Sequence, residues 1–456
     1  VLSRRLRLTA GRLALSGRLG RALPPAARTI MATLASVGHA AFLVGGCVRD
    51  LLTGETPKDW DLVTSAGTAE LLSLFPEGRA MGSTRGGVTV LIPQSGAPYE
   101  VTPYRGHDLR ADLGRRDFTI NAMALSLDGR LFDPLAGRRD LGLGVVRACQ
   151  DARARLTEDP LRMLRAVRLA AQFGFAIDAD LGAAICVLAP QLAVVAPERV
   201  GAELGRLLVT DRPAWALQRL REYGLLAPVA PELLEMVGVE QNQFHAYPVW
   251  EHCLMAVALI APRLPLRLAA LLHDVGKART LSVDPAGNRH FYGHEVVGAE
   301  MVDSLLARLR FPGEVRRSVV HLVRYHMDLH LDGPVTDGAL RRMIRRIGVG
   351  HMGDLVELRR ADRLASGMRE GDLSTDTVFV LQQIERVLAA DAALKVTDLA
   401  VNGDDVVAAF AMPPGPYVGA VLQRLLDEVL EDPARNSRTA LLARLVELSP
   451  TNPGMV

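Results

Sequence analysis

Long apolar runs are absent from this chain of 456 residues. No stretch approaches the roughly 18 consecutive apolar residues that cross a bilayer, so a helical membrane protein is not expected. Cysteine is scarce. Cys47, Cys149, Cys186 and Cys253 are scattered with no CxxC spacing, the pattern of reduced thiols in a cytoplasmic protein. Lysine occurs only at Lys58, Lys277 and Lys395. Arginine supplies the remaining positive charge, through genome composition bias or because guanidinium groups suit phosphate recognition. Acidic residues are missing before Asp50, while Arg4, Arg5, Arg7, Arg12, Arg18, Arg21 and Arg28 precede it. Such a start fits an organelle transit peptide, an RNA-facing arm or an upstream extension. Opening on Val rather than Met favours the last, from a bacterial alternative start codon. A composition of 49% hydrophobic and 23% charged residues is that of a soluble globular protein. The length suits two to four domains, at about 100–200 residues each. No internal repeat or low-complexity tract interrupts it.

The most informative stretch is FLVGGCVRDLLTGETPKDWDLV. Phe42-Leu43-Val44 has strand character, and Gly45-Gly46 lets backbone N–H groups approach a ligand closely. A helical turn over Val48–Leu52 is stopped by Gly54. KDWDLV reads as a second strand, which puts Asp59 and Asp61 on one face. Two carboxylates beside a phosphate-sized notch form half of a Mg2+ site. A lone Gly-Gly or Asp-x-Asp is ordinarily a turn or a solvated strand end.

Residues 25–140 mix β-like runs (AAFLV, DWDLV, GVTVLI, MALSL) with turns and a few helices. After about residue 155 the period is almost wholly helical, with terminators at Gly174 and Gly224. Glu100 lies in a strand-like context, PYEVTPYR. In RRDFTINA, Arg115 and Arg116 can clamp triphosphate oxygens, and Asp117 and Asn121 can hydrogen-bond a ribose hydroxyl. Glu158-Asp159-Pro160-Leu161-Arg162 reads as the opening of the first long helix, with ordinary capping chemistry.

Taken together, GGCVRD with DWD, RRDFTINA, DPLAG at 133–137 and EDPLR resemble the tRNA nucleotidyltransferase/poly(A) polymerase family over roughly residues 25–450. The resemblance implies that Asp59, Asp61 and Glu100 serve a Mg2+ site. Gly45, Gly46, Arg49, Arg115, Arg116, Asp117 and Asn121 then bind the nucleotide. Asp159 and Arg162 read the base edge, and Arg165 and Arg168 support that face or contact phosphate. For Glu100 an edge-strand role, and for Asp133–Gly137 an ordinary turn, remain open. Glu198-Arg199 matches a helical element of the neck, read as structural.

His252, His273-Asp274, His294, His326 and Asp362 follow at long intervals, with the HD pair in LLHDVGK. They resemble the HD phosphohydrolase superfamily. Such ligands suit Mn2+, Ni2+, Fe2+ or Mg2+, with Lys277 near a bound phosphate. Hydrolysis of phosphomonoesters or 2′,3′-cyclic phosphates on RNA ends is the implied chemistry. An HD fold kept only to hold tRNA is the alternative.

One departure bears on the product. Only GHDLRADLG lies between Arg105 and Arg115. Full-length relatives carry a longer flexible segment there, implicated in switching from C to A addition. The chain therefore resembles CC-adding members, which leave the last A to a separate enzyme.

The expectation is an α+β chain: a basic extension (1–24), a β-containing nucleotidyltransferase head (25–140), a helical neck (141–235), an HD domain (236–375) and a C-terminal helical tRNA-binding region (376–456). In that last region Gly415 and Gly419 can expose amides to RNA phosphate or simply punctuate a helical packing unit. The expected partners are tRNA and CTP, with ATP as an alternative second nucleotide, and no membrane. Alternatives are a full CCA-adding enzyme, a poly(A) polymerase, or an HD phosphohydrolase whose head only binds RNA.

Overall fold

β-Branched and aromatic residues in AFLV, DLVT, VTVLI and YEVTP favour extended backbone, and in the computed structural model each of these runs is a strand. The described residues are 19–82, 88–93, 98–242, 245–329, 336–367, 382–387 and 395–449. Most of the expected basic extension and parts of the C-terminal region lie outside them. The chain divides into two units, Val1–Pro231 and Glu232–Val456.

In the first unit, strands β1 (Ala41–Val44), β2 (Asp61–Thr64), β3 (Arg79–Gly82), β4 (Val88–Ile92), β5 (Tyr99–Pro103), β6 (Ala124–Leu125) and β7 (Leu131–Phe132) form one seven-stranded sheet. Its order is β3-β4-β5-β2-β1-β6-β7. Among the described strands of this sheet only β2 and β5 pair in parallel, with Asp61 opposite Glu100. Val44 pairs with Asp61 across the antiparallel β1–β2 ladder. There the ladder ends, because Gly45 leaves the strand at φ +84° and opens helix α1 (Gly46–Thr53). Asp59 therefore has no strand to belong to. It sits exposed in the bend before β2, which corrects the expectation that both aspartates share a strand face.

Helices α2 (Leu109–Gly114), α3 (Gly137–Leu143), α4 (Ala152–Glu158), α5 (Arg162–Phe173) and α6 (Pro197–Leu208) follow. A small core of Val44, Val63, Leu113, Ala122, Ala124 and Cys149 ties β1, β2 and α2 to the RRDFTINA turn. The EDPLR reading needs a second correction. Glu158 closes α4 and Asp159 is extended, at φ −148°. Pro160 disfavours a helical residue before it, and the next helix opens at Arg162.

The second unit is built on α7 (Val249–Leu259), α8 (Leu264–Leu272), α9 (His294–Arg308), α10 (Gly313–Tyr325) and α11 (Val349–Ala365). Its C-terminal part packs α12 (Gly403–Phe410), α13 (Pro416–Glu431) and α14 (Arg438–Leu448) around Leu425, Leu426, Val429 and Leu445. Among the described residues no helix is long and apolar enough to cross a membrane.

Candidate active sites in the two units

The sheet order sets Glu100, Asp61 and the Gly45 turn side by side. Asp61, Glu100, Arg105, Arg116 and Thr102 line one cavity of about 360 Å³. Gly45 faces the same group. A Cβ there would stand 3.2 Å from Arg116 Nη1 and 3.4 Å from Asp61 Oδ2, so the bare backbone is what leaves this approach open. Carboxylate oxygens of this kind are hard ligands, and Asp61 with Glu100 fits Mg2+. Cys47, just inside, is held as a thiol. Burial, then the Asp61 charge, pushes it up to about 12.

A second group of expected residues forms a polar chain beside this one. Arg49 donates to Asp50 Oδ1 at 2.9 and 2.7 Å and to Asn121 Oδ1 at 2.6 Å. Its guanidinium lies 4.6 Å from the centre of the Phe173 ring. Asn121 Nδ2 donates to Asp117 Oδ1 at 3.2 Å, and Arg165 grips Asp117 Oδ2 at 3.0 and 2.7 Å. Arg162 donates to the carbonyls of Arg155 and Arg115 at 2.8 and 3.0 Å and to Glu158 at 3.2 Å. Asp159 accepts from Arg199 at 2.9 Å, and Arg168 pairs with buried Glu203. The Arg115 side chain is exposed. DPLAG has a definite task. Asp133 caps α3 through the N–H groups of Gly137 and Arg138, at 2.6 and 3.0 Å. From α3, Asp140 accepts the Thr119 hydroxyl at 2.7 Å, which steadies the RRDFTINA turn.

In the second unit, His252, His273, Asp274, His294, His326 and Asp362 are all buried and brought together. Asp274 serves two groups. Its Oδ2 lies 3.3 Å from His273 Nε2 and 3.6 Å from His252 Nε2, and its Oδ1 lies 3.4 Å from His294 Nε2 and 3.7 Å from His326 Nε2. Asp362 Oδ1 stands 3.0 Å from His252 Nε2. Burial alone would raise the Asp274 carboxyl, but His273 and Lys277 hold it well below the usual range.

The protonation pattern tests whether a cation fits. His294 Nδ1 and His326 Nδ1 donate to the carbonyls of Phe291 and Val323, at 2.8 and 2.7 Å. With those protons committed, both Nε2 atoms present lone pairs, and they face each other at 3.2 Å. Burial disfavours a protonated His326. A divalent ion bound by these nitrogens and Asp274 removes the repulsion, so the donor set fits a metal. Lys277 donates to Asp274 Oδ2 and to Gln241 Oε1, both at 2.7 Å.

Comparison with known proteins agrees with this arrangement. The poly A polymerase head domain model matches residues 41–147, that of the probable RNA- and SrmB-binding site of polymerase A matches 174–236, and the HD domain model matches 249–364. The A-adding tRNA nucleotidyltransferase of Deinococcus radiodurans is 36% identical over 408 residues, covering 85% of this chain and 91% of that protein. The CC-adding tRNA nucleotidyltransferase of Thermus thermophilus is 37% identical over 414 residues, covering 86% and 90%. The chain belongs to the tRNA nucleotidyltransferase/poly(A) polymerase family. The crystal structure of the Bacillus stearothermophilus CCA-adding enzyme in complex with CTP aligns with a TM-score of 0.70 at 27% identity, covering 93% of this chain and 98% of that one.

This tRNA nucleotidyltransferase thus has the expected α+β fold, with a β-containing head, helical regions and an HD domain. Three groups near its sites escaped the sequence reading. Arg105 borders the short segment 106–114 and Asp112 lies within it, and Asp112 and Arg116 stand at helical i, i+4 spacing. His245 offers a ligand atom within 4.8 Å of those of His252 and Asp362. It precedes α7 with no motif around it to mark it.

Proposed function

We propose that this nucleotidyltransferase adds CMP residues, the CC of the CCA end, to tRNA from CTP. The observation that carries the choice of CC is the shortness of the segment 106–114, of which Leu109–Gly114 form helix α2, where the family resemblance implies a longer flexible loop in full CCA-adding members. The chain is 37% identical to a protein named CC-adding and 36% identical to one named A-adding, so the short segment and not overall identity carries the choice. A tRNA finished by this enzyme then needs a separate A-adding activity.

In this reading Asp59, Asp61 and Glu100 hold Mg2+, which supplies charge stabilisation at the reacting phosphate. Gly45 and Gly46 leave room for the nucleotide, and Arg115 and Arg116 take the triphosphate. Asp117 and Asn121, held by Arg165 and Arg49, meet the ribose. Asp159 and Arg162 pair with the base edge, oriented by Arg199 and by the carbonyls of Arg115 and Arg155. The tRNA 3′-hydroxyl bonds to the α-phosphorus of CTP, and pyrophosphate departs. Product sequencing on a tRNA ending before CCA, with CTP and ATP together, tests this. CC alone is expected. CCA means a full CCA-adding enzyme, and long A tails mean a poly(A) polymerase.

The facing imidazoles favour a second activity. His252, His273, Asp274, His294, His326 and Asp362 would hold a divalent ion such as Mn2+, Ni2+ or Mg2+ that supports hydrolysis of phosphoesters at RNA ends.

A further inference from the structure

The nine residues between Arg105 and Arg115 build an internal brace. Gly106 turns the chain back so tightly that a Cβ there would lie 2.7 Å from the Ala111 Cβ. Asp108 caps α2 by accepting the Ala111 N–H at 2.7 Å. Asp112, one turn on, points inward and is fully buried. Its Oδ1 accepts the backbone N–H of Arg105 at 3.1 Å and the Nε–H of Arg105 at 3.3 Å. Its Oδ2 accepts the Nε–H of Arg116 at 3.2 Å, with Arg116 Nη2 also at 3.2 Å. One guanidinium on each oxygen satisfies a buried carboxylate. Two cations share one anion, so the group keeps a net positive charge. Both arginines border the cavity that contains Asp61 and Glu100, whereas Asp112 does not.

We propose that Arg105 and Arg116 act as a braced pair for the triphosphate of the incoming nucleotide, and that Asp112 is the positioning residue that fixes their spacing. The proposal rests on the reading that the head binds CTP. A free arginine loses considerable rotamer freedom when it grips a phosphate. Here that ordering is complete before the nucleotide arrives, because Asp112 holds both side chains through their Nε–H edges. The remaining N–H groups can turn to an anion, as preorganised electrostatics requires.

The test uses the full chain with Asp112→Asn, Arg105→Gln and the double variant. Calorimetry measures binding of inorganic tripolyphosphate and of CMP, and steady-state assays measure C addition. Asp112→Asn is expected to weaken tripolyphosphate binding and raise the KM for CTP about tenfold, with kcat within about threefold and CMP affinity unchanged, the pattern of lost ground-state binding. The double variant should be worse than Arg105→Gln alone but lose less than the two single losses added together, because Asp112 acts partly through Arg105 and partly through Arg116. Unchanged tripolyphosphate affinity in both single variants, or equal losses for tripolyphosphate and CMP, overturns the proposal. If Asp112→Asn does not fold, Arg105→Gln decides alone. It must lose tripolyphosphate and keep CMP. A wild-type chain that binds tripolyphosphate but adds no nucleotide defeats the functional reading and leaves the brace to be judged by the binding data.

Discussion

The head site and the HD site handle charge in opposite ways. In the head, Arg49, Arg116, Arg162 and Arg165 are each held by acceptors of the chain itself, while Asp59 and Glu100 remain exposed. In the HD unit every expected ligand is buried, and two imidazole nitrogens confront each other at 3.2 Å. The contrast follows from what each site receives. In the proposed function a triphosphate arrives and leaves with its counter-ions, so the cations that meet it must already be in place and the acids must stay open to solvent. A buried imidazole cluster has no solvent to relieve it and calls for a resident cation.

The sharpest way to break this comparison is to remove one carboxylate from each site. Asp61→Ala is expected to lower CMP addition at least about 1000-fold, since charge at the reacting phosphate is then left without its support. Phosphoester hydrolysis by the same protein should be unchanged. A parallel loss of both activities would mean that the two sites are not independent. The next largest effect is expected from Asp274→Ala. One residue serves both histidine pairs. Its loss should weaken Mn2+ or Ni2+ binding by about 100-fold or more and abolish hydrolysis, with CMP addition unaffected. His326→Ala touches one pair only and should cost less. Equal losses would show that Asp274 does not bridge the pairs.

Legibility in the sequence followed contact range. The strands, the Gly45 turn and the HD pair are local signals, written in β-branched runs, a glycine pair and adjacent ligands. The start of β2 is not local. It depends on where β1 stops, and β1 stops because Gly45 turns away at φ +84°. Local signals in KDWDLV therefore extend the strand back to Asp59, which it does not reach. The helix start in EDPLR failed for a different reason, since acidic residues suit a first helical turn and Pro160 also breaks the turn before it. Arg49 with Asn121 spans 72 residues, and Arg165 with Asp117 spans 48. No periodicity announces such pairs. The family motifs named most of these residues as nucleotide ligands, yet only folding shows that they are ordered by one another.

The comparison extends to two glycines, which carry the smallest expected effects. A Cβ at Gly137 would lie 2.1 Å from the Thr119 carbonyl oxygen, and one at Gly276 would lie 2.1 Å from the His294 carbonyl oxygen. In each unit a glycine lets one segment of the site press on the backbone of another. Neither contact can be relieved by a side-chain rotation, because the obstructing atom belongs to the main chain. Alanine at either position must push the two segments apart, costing about 1–3 kcal/mol as overpacking does. The consequences should then separate. Gly137→Ala displaces the turn that carries Asn121, so nucleotide KM should rise while metal affinity of the HD unit holds. Gly276→Ala moves His294 away from Asp274, so metal affinity should fall while the KM for CTP holds. Thermal melts, CTP titration and Mn2+ titration of both variants check this. A Gly276→Ala protein that is destabilised yet binds Mn2+ like wild type would mean that His294 is not among the ligands, and that the buried pair it forms with His326 serves packing alone.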